Sequence, residues 1–255
     1  MRFASAVAIL LDVFDLHDRD RVVSFLTVEQ GRVRGVASGA KRKHSRFAGQ
    51  LQPLAKVKVT WLDKQGRDLV RITDVELVRP ADFLCRSLEE ILLGSYLADS
   101  MSHFAQENEE APTAFRLLDS TLEALREGAD LNLAARYYET WVLRLAGIFP
   151  PPRECPLCGN PFEPGEAASL APTGDALICR RCAATEGPGM LVSPAALEFL
   201  RNTSRSALPA LAARPAPPPV LAEVAELCAR LRRSFLGYEL KSFQVMQRTL
   251  AGLPG

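Results

Sequence analysis

The rhythm of apolar and polar residues changes once along this chain, near Pro80. Before it, short runs rich in Val, Ile, Leu and Phe occupy 3–14, 21–29, 31–37, 54–62 and 68–78, with no helical period. In "KVKVTWL" Val57, Val59 and Trp61 alternate with Lys56, Lys58 and Thr60, the pattern of a half-buried strand. "EQGRVRG" marks a tight turn at Gly31. Five short strands with one longer connection after the third predict a small closed barrel of the OB type; an SH3-like barrel is the alternative.

After Pro80 the period lengthens to three and four. Leu84, Leu88, Ile91 and Leu92 form one stripe, Phe115, Leu118, Leu122 and Leu125 a second, and Leu133, Tyr137, Trp141 and Leu145 a third that stops at Gly147 and "FPPP". Helices are expected again at "SPAALEFLR", with Ser193 as N-cap and Pro194 in the first turn, and through Val220, Val224, Leu227, Leu231 and Phe235. "PALAARPAPPP" between them is expected to be a stiff connector. The predicted class is α+β and multidomain: an all-β OB-fold barrel at 1–80, an all-α helical domain from 81–150 and 190–255, and an inserted four-cysteine module at 151–189.

Within that insertion "CPLC" and "CRRC" place Cys155, Cys158, Cys179 and Cys182 as two C-x2-C pairs. Each pair turns two thiolates toward one ion, and two pairs complete a tetrahedron around zinc. A redox dithiol is the alternative, but the doubled spacing lacks a flanking βαβ pattern. With no His or carboxylate nearby to leave a coordination position open, a structural Zn2+ is expected. Cys85 and Cys228 stand alone on predicted helices and are assigned to packing.

Charge separates along the chain. Residues 1–80 carry 15 Lys/Arg against 9 Asp/Glu, leaving 16 against 21 for the rest. The stretch 30–62 holds Arg32, Arg34, Lys41, Arg42, Lys43, Arg46, Lys56 and Lys58 and no acid, spanning the third strand and the long connection. A solvated face or a localisation-like "KRK" would give the same charges. Phe47 and Trp61 favour single-stranded nucleic acid, which is held by a cationic groove with aromatic faces, and Phe47 is the candidate stacking partner. "LRRSFLGYELK", with Arg230, Arg232, Arg233 and Lys241, offers a second basic face.

Several classes are excluded or demoted. "MRFASAVAILL" resembles a signal peptide, but Asp12, Asp15, Asp18 and Asp20 follow where small residues should precede cleavage. No run approaches the ~18 apolar residues of a membrane span, so a cytoplasmic protein with no membrane contact is expected. GxxxxGK[ST] and GxSxG are absent from the sequence, against ATPase and serine-hydrolase chemistry, and no catalytic residue is assigned. A metal-dependent nuclease built on "DVFDLHDRD" and a zinc-containing regulator of duplex DNA are the alternatives.

The order of these pieces resembles the RecO family of bacterial recombination and repair proteins. "DRVVSFLTVEQGRVRGVASGAKRKHSRFAGQLQP" is similar to that family's barrel and basic segment. "YYETWVLRLAGIFPPPRECPLCG" is similar to its helix leading into the cysteines, and "YELKSFQVMQ" to its last helix. The resemblance implies a non-enzymatic mediator that binds single- and double-stranded DNA and anneals complementary strands. It also implies help, with RecR, in loading RecA onto DNA coated by single-stranded DNA-binding protein (SSB). An acidic C-terminal SSB tail then needs an apolar pocket with a cationic rim, and Arg136, Tyr137, Trp141 and Arg144 are the candidates; an ordinary helix with core aromatics is the alternative.

Overall fold

The computed structural model describes residues 2–63, 69–187 and 189–252. Residue 68, where the fifth apolar run was expected to begin, lies outside them. Five strands, β1 (Arg2–Leu16), β2 (Asp20–Thr27), β3 (Gly31–Ala37), β4 (Lys56–Asp63) and β5 (Val70–Arg79), close into a barrel in the order β1-β2-β3-β5-β4. The long β1 pairs antiparallel with both β2 and β4, and its register shifts between Leu10 and Asp12. A bulge of this kind bends a strand and increases its twist. The ring closes through a short parallel seam, Gly35↔Val70 to Ala37↔Ile72. This is the OB-like order rather than the SH3-like alternative.

Alternation carries the barrel core. Val57, Val59 and Trp61 point inward and meet Phe25, Val23, Leu10 and Ile72, and the Phe25 and Trp61 rings pack edge to face at 5.5 Å. Connection 38–55 covers one end: Ala40, Phe47 and Leu51 enter the same core, and Leu10 exchanges backbone hydrogen bonds with Leu54 and Ala55 at 2.7 and 3.0 Å.

After a 3-10 turn at Asp82–Cys85 come α1 (Leu88–Phe104) and α2 (Pro112–Arg126). Ser87 and Glu90 make a capping box at the start of α1. Asp119 and Glu123 of α2 hold Lys56 and Arg79 of the barrel at 2.8–2.9 Å. The last helix, α8 (Lys241–Ala251), packs on α1 through Tyr96 and Phe243, ring centres 5.2 Å apart, and through Ser242 Oγ donating to Asp99 at 2.6 Å. These elements, up to Arg126 and from Leu240 on, form one compact unit, and Glu127–Glu239 form another.

The second unit contains α3 (Leu131–Leu145), α5 (Pro194–Arg205), α6 (Leu208–Ala212) and α7 (Pro218–Leu236). It also holds a three-stranded sheet of β6 (Ala168–Leu170), β7 (Leu177–Cys179) and β8 (Met190–Val192), with the short α4 (Arg180–Glu186). Ser193 caps α5 by accepting from Ala196 N, and its own hydroxyl donates to Glu223 at 2.7 Å.

Packing corrects several expected faces. Of the first stripe Leu84 and Leu92 are buried, but Leu88 and Ile91 are exposed; α1 turns Leu93, Tyr96, Leu97 and Met101 inward beside Leu92. On α3 only Leu133 of its stripe is buried, Tyr137 and Trp141 are half-buried, and Leu145 is exposed; the core face is Ala134, Ala135, Tyr138, Val142 and Leu143. The proline-rich connector contains α6 and the first turn of α7, because proline is tolerated at a helix start. Cys85 is exposed, whereas Cys228 is fully buried, its thiol pushed up to about 12 by burial first and by Glu139 second.

Truncating Trp61→Ala removes the largest side chain of the barrel core and is expected to cost about 3–5 kcal/mol. Lys58→Ala, on the outer face of the same strand, should change stability by less than about 0.5 kcal/mol. Urea denaturation of the two variants checks the alternation.

Candidate nucleic-acid interface and metal centre

The cations of 30–62 divide according to what holds them. Connection 38–55 is a chain of tight turns, Arg42 N to Gly39 O, Ser45 N to Arg42 O, Ala48 N to Ser45 O and Gln50 N to Phe47 O, each at 3.0–3.1 Å. Gly39, at φ +75°, donates its N–H to Asp20 Oδ1 at 2.7 Å, and Lys41 N reaches Arg19 O at 3.0 Å, tying the connection to the β1–β2 turn. From this frame Arg42, Lys43 and Arg46 project into solvent, and none has an ion pair among the described residues.

The other three predicted cations are engaged. Lys41 pairs with Asp15 at 2.8 Å, and that hydrogen bond, against desolvation, holds the Asp15 carboxyl below its ordinary range. Arg32 and Arg34 both reach Glu107 at 3.0 Å. Phe47 is 2% exposed and belongs to the barrel core, with the Arg46 guanidinium 4.9 Å above its ring. It cannot offer a face to a base, nor can Trp61, which is also buried. Alternation already sets Trp61 beside Val57 and Val59; both rings suggest stacking only because aromatic residues close to cations in sequence look the same in either setting.

Two arginines were missed. Arg19 on the β1–β2 turn and Arg71 on β5 are exposed and, with Arg42, His17, Asp18, Asp20, Ser38 and Gly39, line an open cleft of about 680 Å3. They are far apart in sequence and meet only because β5 pairs in parallel with β3, setting Arg71 opposite Val36. Of the acidic turn proposed for a nuclease, His17, Asp18 and Asp20 border that cleft but form no metal-holding group among the described residues: Asp12 accepts from Val13 N, Asp15 pairs with Arg21 and Lys41, and Asp20 holds Gly39.

Among the described residues one group is placed to share a metal ion, Cys155, Cys158, Cys179 and Cys182, whose sulfurs all lie within 4.8 Å of one another. Cys155 and Cys158 sit on a knuckle where Gly159, at φ +70°, donates to Cys155 O at 2.8 Å. Cys179 ends β7 and caps α4, which carries Cys182. Zn–S bonds of ~2.3 Å in a tetrahedron require sulfurs about 3.8 Å apart. Cys158 and Cys179 are 3.8 Å apart, so the donor set and spacing fit.

Burial pushes the Cys155 thiol up, but the backbone N–H groups of Cys179, Cys158 and Leu157 outweigh it and bring it down to about 6. Cys158 is lowered, chiefly by the N–H of Asn160 and further by Arg181. Cys182 is pushed up to about 12 by burial and then by the sulfurs around it. A divalent cation removes that opposition.

The α3 candidates fare differently from one another. Arg136 is buried, with Nε 2.6 Å and a terminal N–H 2.9 Å from the Glu139 carboxylate, so it forms no rim. Arg144 donates to Thr203 Oγ1 at 2.9 Å and Leu200 O at 2.6 Å and lies over the Trp141 and Phe149 rings; burial lowers its pKa to about 10. Tyr137 and Trp141 stay half-exposed, and Trp141 Nε1 donates to Thr203 O. In the second basic face Arg232 is also buried, pairing with Glu239 at 2.7 Å, while Arg230 and Arg233 are exposed. No described helix is long and apolar enough to cross a membrane.

Comparison with known proteins adds the following. Residues 1–81 match the family model described as Recombination protein O N terminal, and 85–243 that described as Recombination protein O C terminal. The chain is 30% identical to the DNA repair protein RecO of Anaeromyxobacter dehalogenans over 237 residues, 93% of each chain. It is 32% identical to the DNA repair protein RecO of Geobacter metallireducens over 175 residues, 69% of this chain and 70% of the relative.

Metal uptake by the metal-free chain must displace thiol protons, that of Cys182 above all, since its thiol is pushed up to about 12 while that of Cys155 is brought down to about 6. Binding therefore releases protons, and affinity should rise between pH 6 and 8. A Cys182→Ser chain should lose stoichiometric binding; competition with a chromophoric chelator measures both.

Proposed function

The chain belongs to the recombination protein O family of DNA repair proteins, and from that premise we propose that it binds DNA through its barrel and brings complementary strands together without covalent chemistry. The observation that carries this reading is the set of outward cations at one end of the barrel, Arg42, Lys43 and Arg46 on an anchored connection, beside Arg19 and Arg71. Guanidinium and ammonium groups of this kind neutralise phosphates and release counterions, which favours nucleic acid of any sequence. Two strands with their charge neutralised repel one another less, and annealing follows from that.

Further roles belong to the same proposal. With RecR the chain helps RecA load onto SSB-coated DNA in the cytoplasm. The acidic SSB tail meets the half-exposed Tyr137 and Trp141, with Arg144 beside them as the cation. The four cysteines hold zinc, because an all-sulfur tetrahedral set suits zinc and leaves no open position for catalysis. The ion orders a segment with little apolar core of its own.

Replacing Arg42, Lys43 and Arg46 by alanine should weaken oligo-dT binding and flatten the log K against log salt slope by about 2, from ~0.7 per lost phosphate contact. Annealing of SSB-coated complementary strands should fall with it. An unchanged slope would count against the cationic loop. Cleavage of labelled DNA with Mg2+ would favour the nuclease, and a strong sequence preference the duplex regulator.

A further inference from the structure

Arg32 and Arg34 stand on β3, the strand that runs into the connection carrying the loop cations, yet neither is free in this structure. The segment joining α1 to α2, "QENEE" at 106–110, lies along the start of β3. Arg32 N donates to Gln106 O at 2.9 Å, and Glu107 bridges to both Gly31 and Arg32. Ala111 N donates to Val28 O at 2.8 Å, fastening the far end of the segment to the β2–β3 turn. The fit requires glycine at position 31. Its φ is +57°, and a Cβ there would stand 2.4 Å from Gln106 O and 2.6 Å from Glu109 O.

Docked in this way, one carboxylate oxygen, Glu107 Oε1, lies 3.0 Å from Arg32 and 3.0 Å from Arg34. It serves them poorly. Both contacts are charge contacts outside hydrogen-bond alignment, and Arg32 Nε and Glu107 Oε1 are buried atoms that make no hydrogen bond. Guanidinium groups pair best through two parallel N–H bonds, and a phosphate offers the oxygens for that where a single shared carboxylate oxygen does not. Arg34 also keeps 42% of its side chain exposed, so the site is open to solvent on one side.

We propose that Arg32 and Arg34 form a latent site for a phosphodiester group of DNA, occupied in the free chain by the Glu107 carboxylate as an internal phosphate surrogate. DNA gains the two arginines only by displacing Glu107, so the acidic segment gates the barrel's grip. This rests on the DNA-binding reading above and adds regulation of that surface.

Glu107→Gln keeps the shape and removes the charge. Oligo-dT binding followed by fluorescence anisotropy across a salt series should show about tenfold tighter binding at moderate salt. The slope should stay close to that of the unmodified chain, because DNA makes the same phosphate contacts in both and only the cost of displacing Glu107 is removed. Glu110→Gln makes the same change of net charge on an exposed neighbour with no arginine contact, and should tighten binding less than about threefold with the slope unchanged. Adding Arg32→Ala and Arg34→Ala to the Glu107→Gln chain should abolish the gain in affinity and flatten the slope by about 1.4, two single-strand contacts at ~0.7 each.

Should Glu107→Gln not fold, the carboxyl carbon resonance of Glu107 in the unmodified chain supplies the readout. It moves to a solvent position on saturation with oligo-dT if the surrogate is displaced, and stays if the pair is structural. An unmodified chain that binds DNA while the two Gln variants behave alike overturns the gate alone. Failure of the unmodified chain and every variant to bind overturns the DNA reading with it.

Discussion

The barrel depends on one seam. β3 and β5 meet in parallel over three residue pairs, and the first of them contains Gly35, where a Cβ would stand 2.8 Å from Ile72 Cγ1 and from Val70 Cγ2. A side chain there would force the strands apart, since a closed core has no slack to absorb it. With the seam shut at Gly35–Ala37 the ring of strands is closed, and the connection from β3 to β4 crosses the end of the barrel. That crossing gives Phe47 a place in the core and turns Arg42, Lys43 and Arg46 outward.

Electrostatics in the first unit is settled by competition between partners inside the chain and water or ligand outside it. Asp119 and Glu123 hold Lys56 and Arg79 against α2, Asp15 holds Lys41, and Glu107 holds Arg32 and Arg34. The acids that balance the basic front come partly from residues far along the chain. Net charge by segment therefore overstates what the surface offers, because charge that is concentrated in sequence is divided by folding into structural and exposed shares.

Strands and cysteines were legible in the sequence because their signals are local. Alternation in "KVKVTWL" sets the faces of residues 56–62, and the paired C-x2-C spacing sets the sulfur cluster. Helix faces were less legible: on α1 and α3 the apolar residues exceed one stripe, and only the neighbours they pack against decide which are buried. The interface was legible in part. Its loop cations stand in one run, but Arg19 and Arg71 join them through strand pairing, and Phe47 and Arg136 turned inward for reasons that lie in other segments. Buried Arg136, Glu139 and Arg232 illustrate the general difficulty, since a charged residue paired in the interior has the same letter as one in water.

The path of the chain has a consequence for its birth on the ribosome. α8 packs against α1 through Phe243 and Ser242, yet residues 127–239, a complete unit of their own, are made between these two helices. The first unit to begin emerging is thus the last to be finished, and its flank on α1 stays bare until the second has had time to form. During that interval the Phe243 ring is not yet there to cover Tyr96, and apolar surface on α1 that α8 will bury stays open to water.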